Sequence, residues 1–224
     1  MHIGLIGGIG PGATDYYYRR LISGFAKQNS PLELTIVHAD APTLVRNLAG
    51  NDIDAQTSIY ARLTTRLLAA DADCVAITSI AGHFCIDAFK AISVLPVLDM
   101  ISEVNRHIEI RGLRRIGILG TRTVMETRFY GRIAAAEIVP PIGSDLDDVH
   151  EAYVSMATSG VATREQRSVF DTVARRLLAG QGVEAILLGG TDLVLAIDEE
   201  TAGYPVVDCA GIHADAIARF ALAR

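Results

Sequence analysis

Short unbroken apolar runs alternate along the chain with longer stretches in which apolar positions recur at helical spacing. Ile3-Gly4-Leu5-Ile6 reads as a buried strand closed by Gly7-Gly8. Pro11 then suits the first turn of a helix running through Tyr16, Tyr17, Leu21 and Ile22. Residues 32–37 read as a second strand, and 59–70 as a helix with Leu63, Leu67 and Leu68 on one face. Residues 74–77 form a third strand and 94–97 a short fourth. Strand, helix, strand at this rhythm implies an α/β protein whose mostly parallel sheet is covered on both faces.

The pattern then starts again. Ile116-Gly117-Ile118-Leu119-Gly120-Thr121 echoes Ile3-Gly4-Leu5-Ile6-Gly7-Gly8, and Ala185-Ile186-Leu187-Leu188-Gly189-Gly190 echoes the strand and turn at 74–79. Both echoes are offset by about half the chain, which points to a duplicated unit. The expected division is residues 1–95 plus 205–224 as one α/β lobe and 96–204 as the other, with a cleft between two similar halves. Ligands of parallel sheets bind beyond the carboxyl ends of strands. Four turns are therefore candidates: Gly7-Gly8-Ile9-Gly10, Thr78-Ser79-Ile80-Ala81-Gly82, Gly120-Thr121-Arg122-Thr123 and Gly189-Gly190-Thr191-Asp192. Backbone N–H groups where helices begin make carboxylate or phosphate sites.

Composition narrows the function classes. The 224 residues suit one large domain or two small lobes, and 50% are hydrophobic, ample for a core. A net charge of −6 and a pI near 5.5 give no basic footprint for nucleic acid or for an anionic membrane. No apolar window is long enough to span a bilayer, and the N-terminus lacks the charged-then-apolar order of a secretory signal. Cys74, Cys85 and Cys209 are few and oddly spaced, against both a disulfide scaffold and a zinc site. The expectation is a cytoplasmic globular protein with no metal. Gly8-Ile9-Gly10-Pro11-Gly12-Ala13 is not the dinucleotide fingerprint, although Asp40 loosely mimics its acidic partner, and no Walker-type G-K-[ST] occurs.

These turns carry a family resemblance. Gly7-Gly8-Ile9-Gly10-Pro11-Gly12-Ala13-Thr14 resembles the opening of aspartate racemases, and Ile116–Thr123 followed by Phe129-Tyr130 is similar to their mid-chain strand and turn. Residues 76–84 match their first catalytic turn, normally Pro-Cys-Asn-Thr-Ala-His. Leu188-Gly189-Gly190-Thr191-Asp192-Leu193 matches the second, normally Gly-Cys-Thr-Glu-Leu. The resemblance to the aspartate/glutamate racemase superfamily covers nearly the whole chain. It implies two α/β lobes with pseudo-twofold symmetry, a homodimer, and a cofactor-independent enzyme in which two cysteines flank the α-carbon of an amino acid and exchange its proton from opposite faces.

Departures from that pattern bear on mechanism. Ser79 stands where the first cysteine belongs and Gly190 where the second belongs, with Ile80 and Ala81 in place of Asn and Thr. None of the three cysteines falls at either position; each reads as a small buried hydrophobe, with Cys209 the least implausible reactive thiol. A thiol with a pKa near 8.5 can be tuned toward neutrality, whereas an alkanol cannot act as a strong base unaided. Two-thiol racemisation is therefore disfavoured.

Other groups are candidates to substitute. His83 matches the family histidine, and is either an acid/base near a helix N-terminus or a helix-start residue bonded to backbone. Asp192 replaces the family glutamate, as a helix cap or a general acid/base. Ser79 can donate a hydrogen bond or, with His83 as base, act as a nucleophile. Arg46 sits where aspartate racemases carry an arginine for the side-chain carboxylate, a task suited to its bidentate fork; an exposed surface arginine is the alternative. Thr121 and Thr191 are carboxylate donors or ordinary turn hydroxyls, and Gly10, Ile80, Ala81, Thr123 and Gly190 complete the substrate-binding set. His38 and Asp40 end the second strand nearby. A family lysine is missing from the stretch 157–160, which puts an acidic substrate in doubt. Three functions compete: a racemase or epimerase using non-cysteine groups; a lyase, decarboxylase, hydrolase or other isomerase acting on a small carboxylate through Ser79, His83 and Asp192; and a carboxylate-binding protein without catalysis.

Overall fold

The structure is a computed structural model that describes residues 1–223; Arg224, the last residue of the expected first lobe, lies outside them. In chain order the elements are β1 (His2–Gly7), α1 (Pro11–Lys27), β2 (Glu33–His38), α2 (Ala41–Ala49), α3 (Ile53–Ala69), β3 (Cys74–Ile77), a 3-10 helix (Ile80–Cys85), α4 (Ile86–Ile92) and β4 (Val97–Leu98). Then follow α5 (Met100–Ile110), β5 (Arg115–Gly120), α6 (Arg122–Glu126), β6 (Glu137–Val139), α7 (Ser144–Ser159), α8 (Arg164–Gly180), β7 (Ala185–Gly189), a second 3-10 helix (Thr191–Leu195), β8 (Val206–Asp208) and α9 (Cys209–Leu222). They form two all-parallel sheets of four strands each, ordered β2-β1-β3-β4 and β6-β5-β7-β8. The identical order bears out the α/β fold of two similar parallel-sheet halves.

The sequence echoes have a packing cause. The central strands β3 and β7 are buried at every position, and β1 and β5 at all but the first. Gly4 in β1 and Gly117 in β5 hold the same place. A Cβ on Gly4 would lie 2.9 Å from Leu67 Cδ1 of α3, and one on Gly117 3.1 Å from Leu177 Cδ1 of α8. Each glycine lets a helix leucine reach the sheet floor, where burial of such a side chain is worth about 1.5–3 kcal/mol. The edge strand β2 is mostly exposed or half-buried, as expected of a strand covered on one side only.

Element boundaries differ from the sequence expectation where local chemistry decides them. Helix α3 begins at Ile53, ahead of its apolar stripe, because Asp52 caps it by accepting from Ala55 N–H at 2.9 Å. Strand β4 begins at Val97, after Pro96, which has no N–H to give; its carbonyl accepts from Val75 N–H at 2.9 Å. After α6, Arg128, Phe129 and Tyr130 have φ of 53°, 60° and 60°, and Gly131 follows at 65°. Such a left-handed run of side-chain-bearing residues costs about 1–2 kcal/mol per residue. Phe129, fully buried, offsets part of that cost.

The chain divides into two compact units, Met1–Met100 with His213 onward, and Ile101–Ile212. The crossings fall later than the expected 95/96 and 204/205 because β4 pairs with β3 and β8 with β7, so each sheet is completed before the chain leaves it. In the first unit, Arg20 of α1 grips Asp215 of α9 through Nε at 2.7 Å and NH2 at 2.8 Å. No helix among the described residues is long and apolar enough to cross a membrane.

Gly120 ends β5 so close to β7 that a Cβ would fall 2.6 Å from the Gly189 carbonyl oxygen, whereas nothing lies within 4 Å of one on Gly180 at the end of α8. Gly120→Ala should therefore lower the unfolding free energy by about 1–3 kcal/mol. Gly180→Ala should leave it unchanged or raise it by up to about 1 kcal/mol. Urea denaturation of the two variants beside the parent checks both values.

Candidate functional site

In each sheet the chain leaves the first central strand on one side and returns on the other. The crevice at the carboxyl ends of β1 and β3, and its counterpart at β5 and β7, are thus topological switch points. The turns that follow β3 and β7 match in detail. Ser79 (φ −130°, ψ 130°) and Gly190 (φ −140°, ψ 123°) are the extended residues that precede the two 3-10 helices. The Ser79 carbonyl accepts from Gly82 N–H at 3.2 Å, and the Gly190 carbonyl from Leu193 N–H at 3.0 Å.

At the first turn, Ser79 is 6% exposed and its hydroxyl does not cap the helix it precedes. His83 is buried, and its Nδ1 lies 2.8 Å from the Ser79 carbonyl oxygen. A carbonyl can only accept, so Nδ1 carries the proton and the neutral ring keeps its lone pair on Nε2. This bond runs to the backbone of Ser79 rather than to its hydroxyl. The arrangement suits His83 as an independent acid/base more than as the activator of a serine nucleophile. Ile80 and Ala81 are buried between them. Beneath the turn, Tyr60 accepts from Gln56 Nε2 at 2.7 Å and donates to the Gly82 carbonyl at 3.4 Å.

At the second turn, Asp192 and Thr191 are both buried. Asp192 sits inside the 3-10 helix and does not cap it, since that place belongs to Gly190. Its Oδ2 accepts from the phenol of Tyr153, in α7, at 3.4 Å. Thr191 Oγ1 is buried without a hydrogen-bond partner, a rare condition for a hydroxyl unless a ligand or water completes it. Burial, and then the charge of Asp192, push the Tyr153 phenol up well above its ordinary value, so it stays protonated.

Other predicted residues are distributed more widely. Gly10 adopts the left-handed conformation (φ 75°) that starts α1. A hollow of about 260 Å³ beside it is lined by Gly7, Gly8, Thr14 and His38 among others. Thr121 caps α6, accepting from Val124 N–H at 3.3 Å, and Thr123 is exposed with its carbonyl bonded to Thr127. Asp40 caps α2 through Thr43 N–H at 3.0 Å, and the Thr43 hydroxyl, followed by that N–H, draws its carboxyl below the usual range. Arg46 is exposed and donates to Thr43 Oγ1 at 2.9 Å. All three cysteines are free and buried. Burial pushes the Cys74 thiol up to about 11 and the Cys85 thiol up to about 12. Cys209 is held well above its ordinary value by burial and then by Asp208. Among the described residues no group of His, Cys, Asp and Glu is arranged to hold a metal ion.

The model of the Asp/Glu/Hydantoin racemase family matches residues 6–217. The chain belongs to that family. Racemases are isomerases, and that is the enzyme class in which this racemase-family chain falls. It is similar to a candidate Asp/Glu racemase from Yersinia pestis at 29% identity, covering 99% of this chain and 100% of that one with a TM-score of 0.85. An aspartate racemase homologue from Pyrococcus horikoshii OT3 is 25% identical, with 99% of each chain covered and a TM-score of 0.82. The aspartate racemase of Picrophilus torridus shares the fold at 21% identity and a TM-score of 0.81, with 99% of this chain and 94% of that one covered.

Sequence reasoning missed Tyr153 and His213. Tyr153 occupies a core position of α7 with Leu146, Val149 and Met156, and nothing in that spacing separates a working phenol from a packed one. His213 lies in an apolar C-terminal helix and reads as core. In the structure it is fully buried; its Nε2–H donates to the Leu98 carbonyl at 2.9 Å and its Nδ1 accepts from Tyr17 Oη at 2.8 Å. The His83 ring meets it edge to face at 6.0 Å.

Burial, and then the neighbouring His83, push His213 down to about 3. Between that value and the unfolded value of 6.5 the unfolded chain binds the additional proton. Stability should accordingly fall as pH drops from 6.5 toward 3 and be insensitive to this group above 6.5. The loss should be on the order of a few kcal/mol over the window. Urea midpoints across that window should fall steeply in the parent and less steeply in His213→Gln.

Proposed function

We propose that this chain is an amino-acid racemase-family enzyme that acts on a small amino acid or related carboxylate without pyridoxal phosphate, and not by two-thiol chemistry. The supporting observation is the pair of matched turns in which Ser79 and Gly190 hold the positions where the family resemblance expects cysteine. The actual thiols are buried and lie in β3, at the end of the first 3-10 helix and at the start of α9.

Each turn brings polar groups suited to a carboxylate and its α-carbon. On this reading His83, with its proton held on Nδ1 by the Ser79 carbonyl, takes or returns a proton through Nε2. The Ser79 hydroxyl, not engaged in capping, donates to the substrate, and Asp192 is the acid/base of the second turn. The backbone of Gly10, Ile80, Ala81 and Gly190, with Thr121, Thr123, Thr191 and Arg46, forms the substrate-binding set. By resemblance the protein is a cytoplasmic homodimer. A lyase or decarboxylase using the same three side chains is the second reading, favoured by the lack of a thiol at either turn.

The test is incubation in deuterium oxide with a panel of D- and L-amino acids and small dicarboxylates, followed by mass spectrometry. Deuterium should enter Cα of at least one amino acid with inversion. Ser79→Ala and Asp192→Asn should each slow exchange by about a hundredfold or more. A variant with all three cysteines changed to Ala should keep the parental rate. Loss of exchange in the cysteine-free variant sinks the non-thiol mechanism, and turnover without Cα exchange favours the second reading.

A further inference from the structure

Gly190 has no side chain, yet the space that one would fill is taken. A Cβ built there falls 2.2 Å from Cε2, 2.6 Å from Cζ and 2.9 Å from Oη of Tyr153. Carbon atoms in contact stand about 3.5–4.0 Å apart. The phenol ring therefore stands in the volume that a larger residue at this turn would need. Helix α7 delivers it there, using a buried stripe of Leu146, Val149, Tyr153 and Met156 in which Tyr153 alone has a polar tip.

A second observation marks the place as prepared for a polar ligand. Thr191, next along the turn, carries a fully buried hydroxyl with no hydrogen-bond partner. The Tyr153 hydroxyl is itself only loosely engaged: its 3.4 Å distance to Asp192 is well beyond the ~2.5–2.7 Å of a strong O–H bond to a carboxylate.

We propose that Tyr153 works beside Asp192 at the second turn, its phenolic O–H donating to the bound substrate from the place where residue 190 offers nothing. This rests on the reading of a small carboxylate substrate given above. The hydroxyl turns from Asp192 to the ligand and stabilises negative charge that develops on it, as a fixed donor in a water-poor site does. No proton leaves the phenol. Because burial and Asp192 keep it protonated, it cannot serve as a base. The second turn thus polarises the substrate through Tyr153, while Asp192 exchanges the proton that a thiol would otherwise exchange.

Two experiments test this. Tyr153→Phe keeps the ring and removes the hydroxyl. It should lower kcat for the deuterium exchange described above by about 10- to 1000-fold with Tm essentially unchanged. A variant that exchanges at the parental rate overturns the proposal. The second experiment needs no substrate: iodoacetamide labelling of Gly190→Cys is compared with that of Gly190→Cys/Tyr153→Ala, both in the background with Cys74, Cys85 and Cys209 changed to Ala. Removing the ring should free the new thiol and speed labelling at position 190 by tenfold or more. Equal labelling overturns the placement of Tyr153 without touching the functional reading. A parent protein inert toward every compound of the panel overturns the functional reading and the substrate contact with it, whatever the labelling shows.

Discussion

A parallel strand covered on both faces can present its polar backbone to a ligand only at its ends. That constraint organises both units. The central strands are buried almost throughout and paired on both sides, and the turns beyond β1, β3, β5 and β7 are where the chain leaves the sheet. Glycines tighten the design. Gly4 and Gly117 admit a leucine from the covering helix, and Gly120 allows the ends of two central strands to approach closely. On the proposed reading, the chemistry falls to a few residues per turn, with residues 79 and 190 holding matched places in the two.

The repeated strand–turn patterns, read from sequence, located the central strands of both sheets and the two matched turns, because burial on both faces leaves a short apolar run and the glycines that follow it mark its end. Boundaries were less legible. The start of α3 depends on the cap at Asp52, and the position of β4 depends on Pro96. Both are single-residue effects that an apolar pattern does not record. At the candidate site, the strand pattern pointed to the turns, and the family resemblance then singled out Ser79, His83, Asp192 and Thr191 within them. The tautomer of His83 depends on a carbonyl four residues away, and Tyr153 acts on Gly190 across 37 positions of sequence, so neither was visible in any local window.

Two side chains that look interchangeable with packing residues give the site its electrostatic character. Tyr153 places a neutral phenol against a buried carboxylate, a neighbourhood in which an unpaired charge would cost several kcal/mol. His213 backs the first turn with an imidazole whose two nitrogens are both engaged in its neutral form, so the ring behind His83 carries no charge near neutral pH. Each turn thus has an uncharged, hydrogen-bonded aromatic group behind its titratable side chain.

The route of the chain through the two units sets an order of assembly. The second unit is one continuous stretch, Ile101–Ile212, whereas the first needs the segment from His213 onward, which supplies the partner of Tyr17 and the carboxylate gripped by Arg20. During synthesis the half that leaves the ribosome first is therefore the half completed last. Until the final turns of α9 emerge, α1 lacks the partners of Tyr17 and Arg20, and the first unit's apolar surface stays incompletely covered.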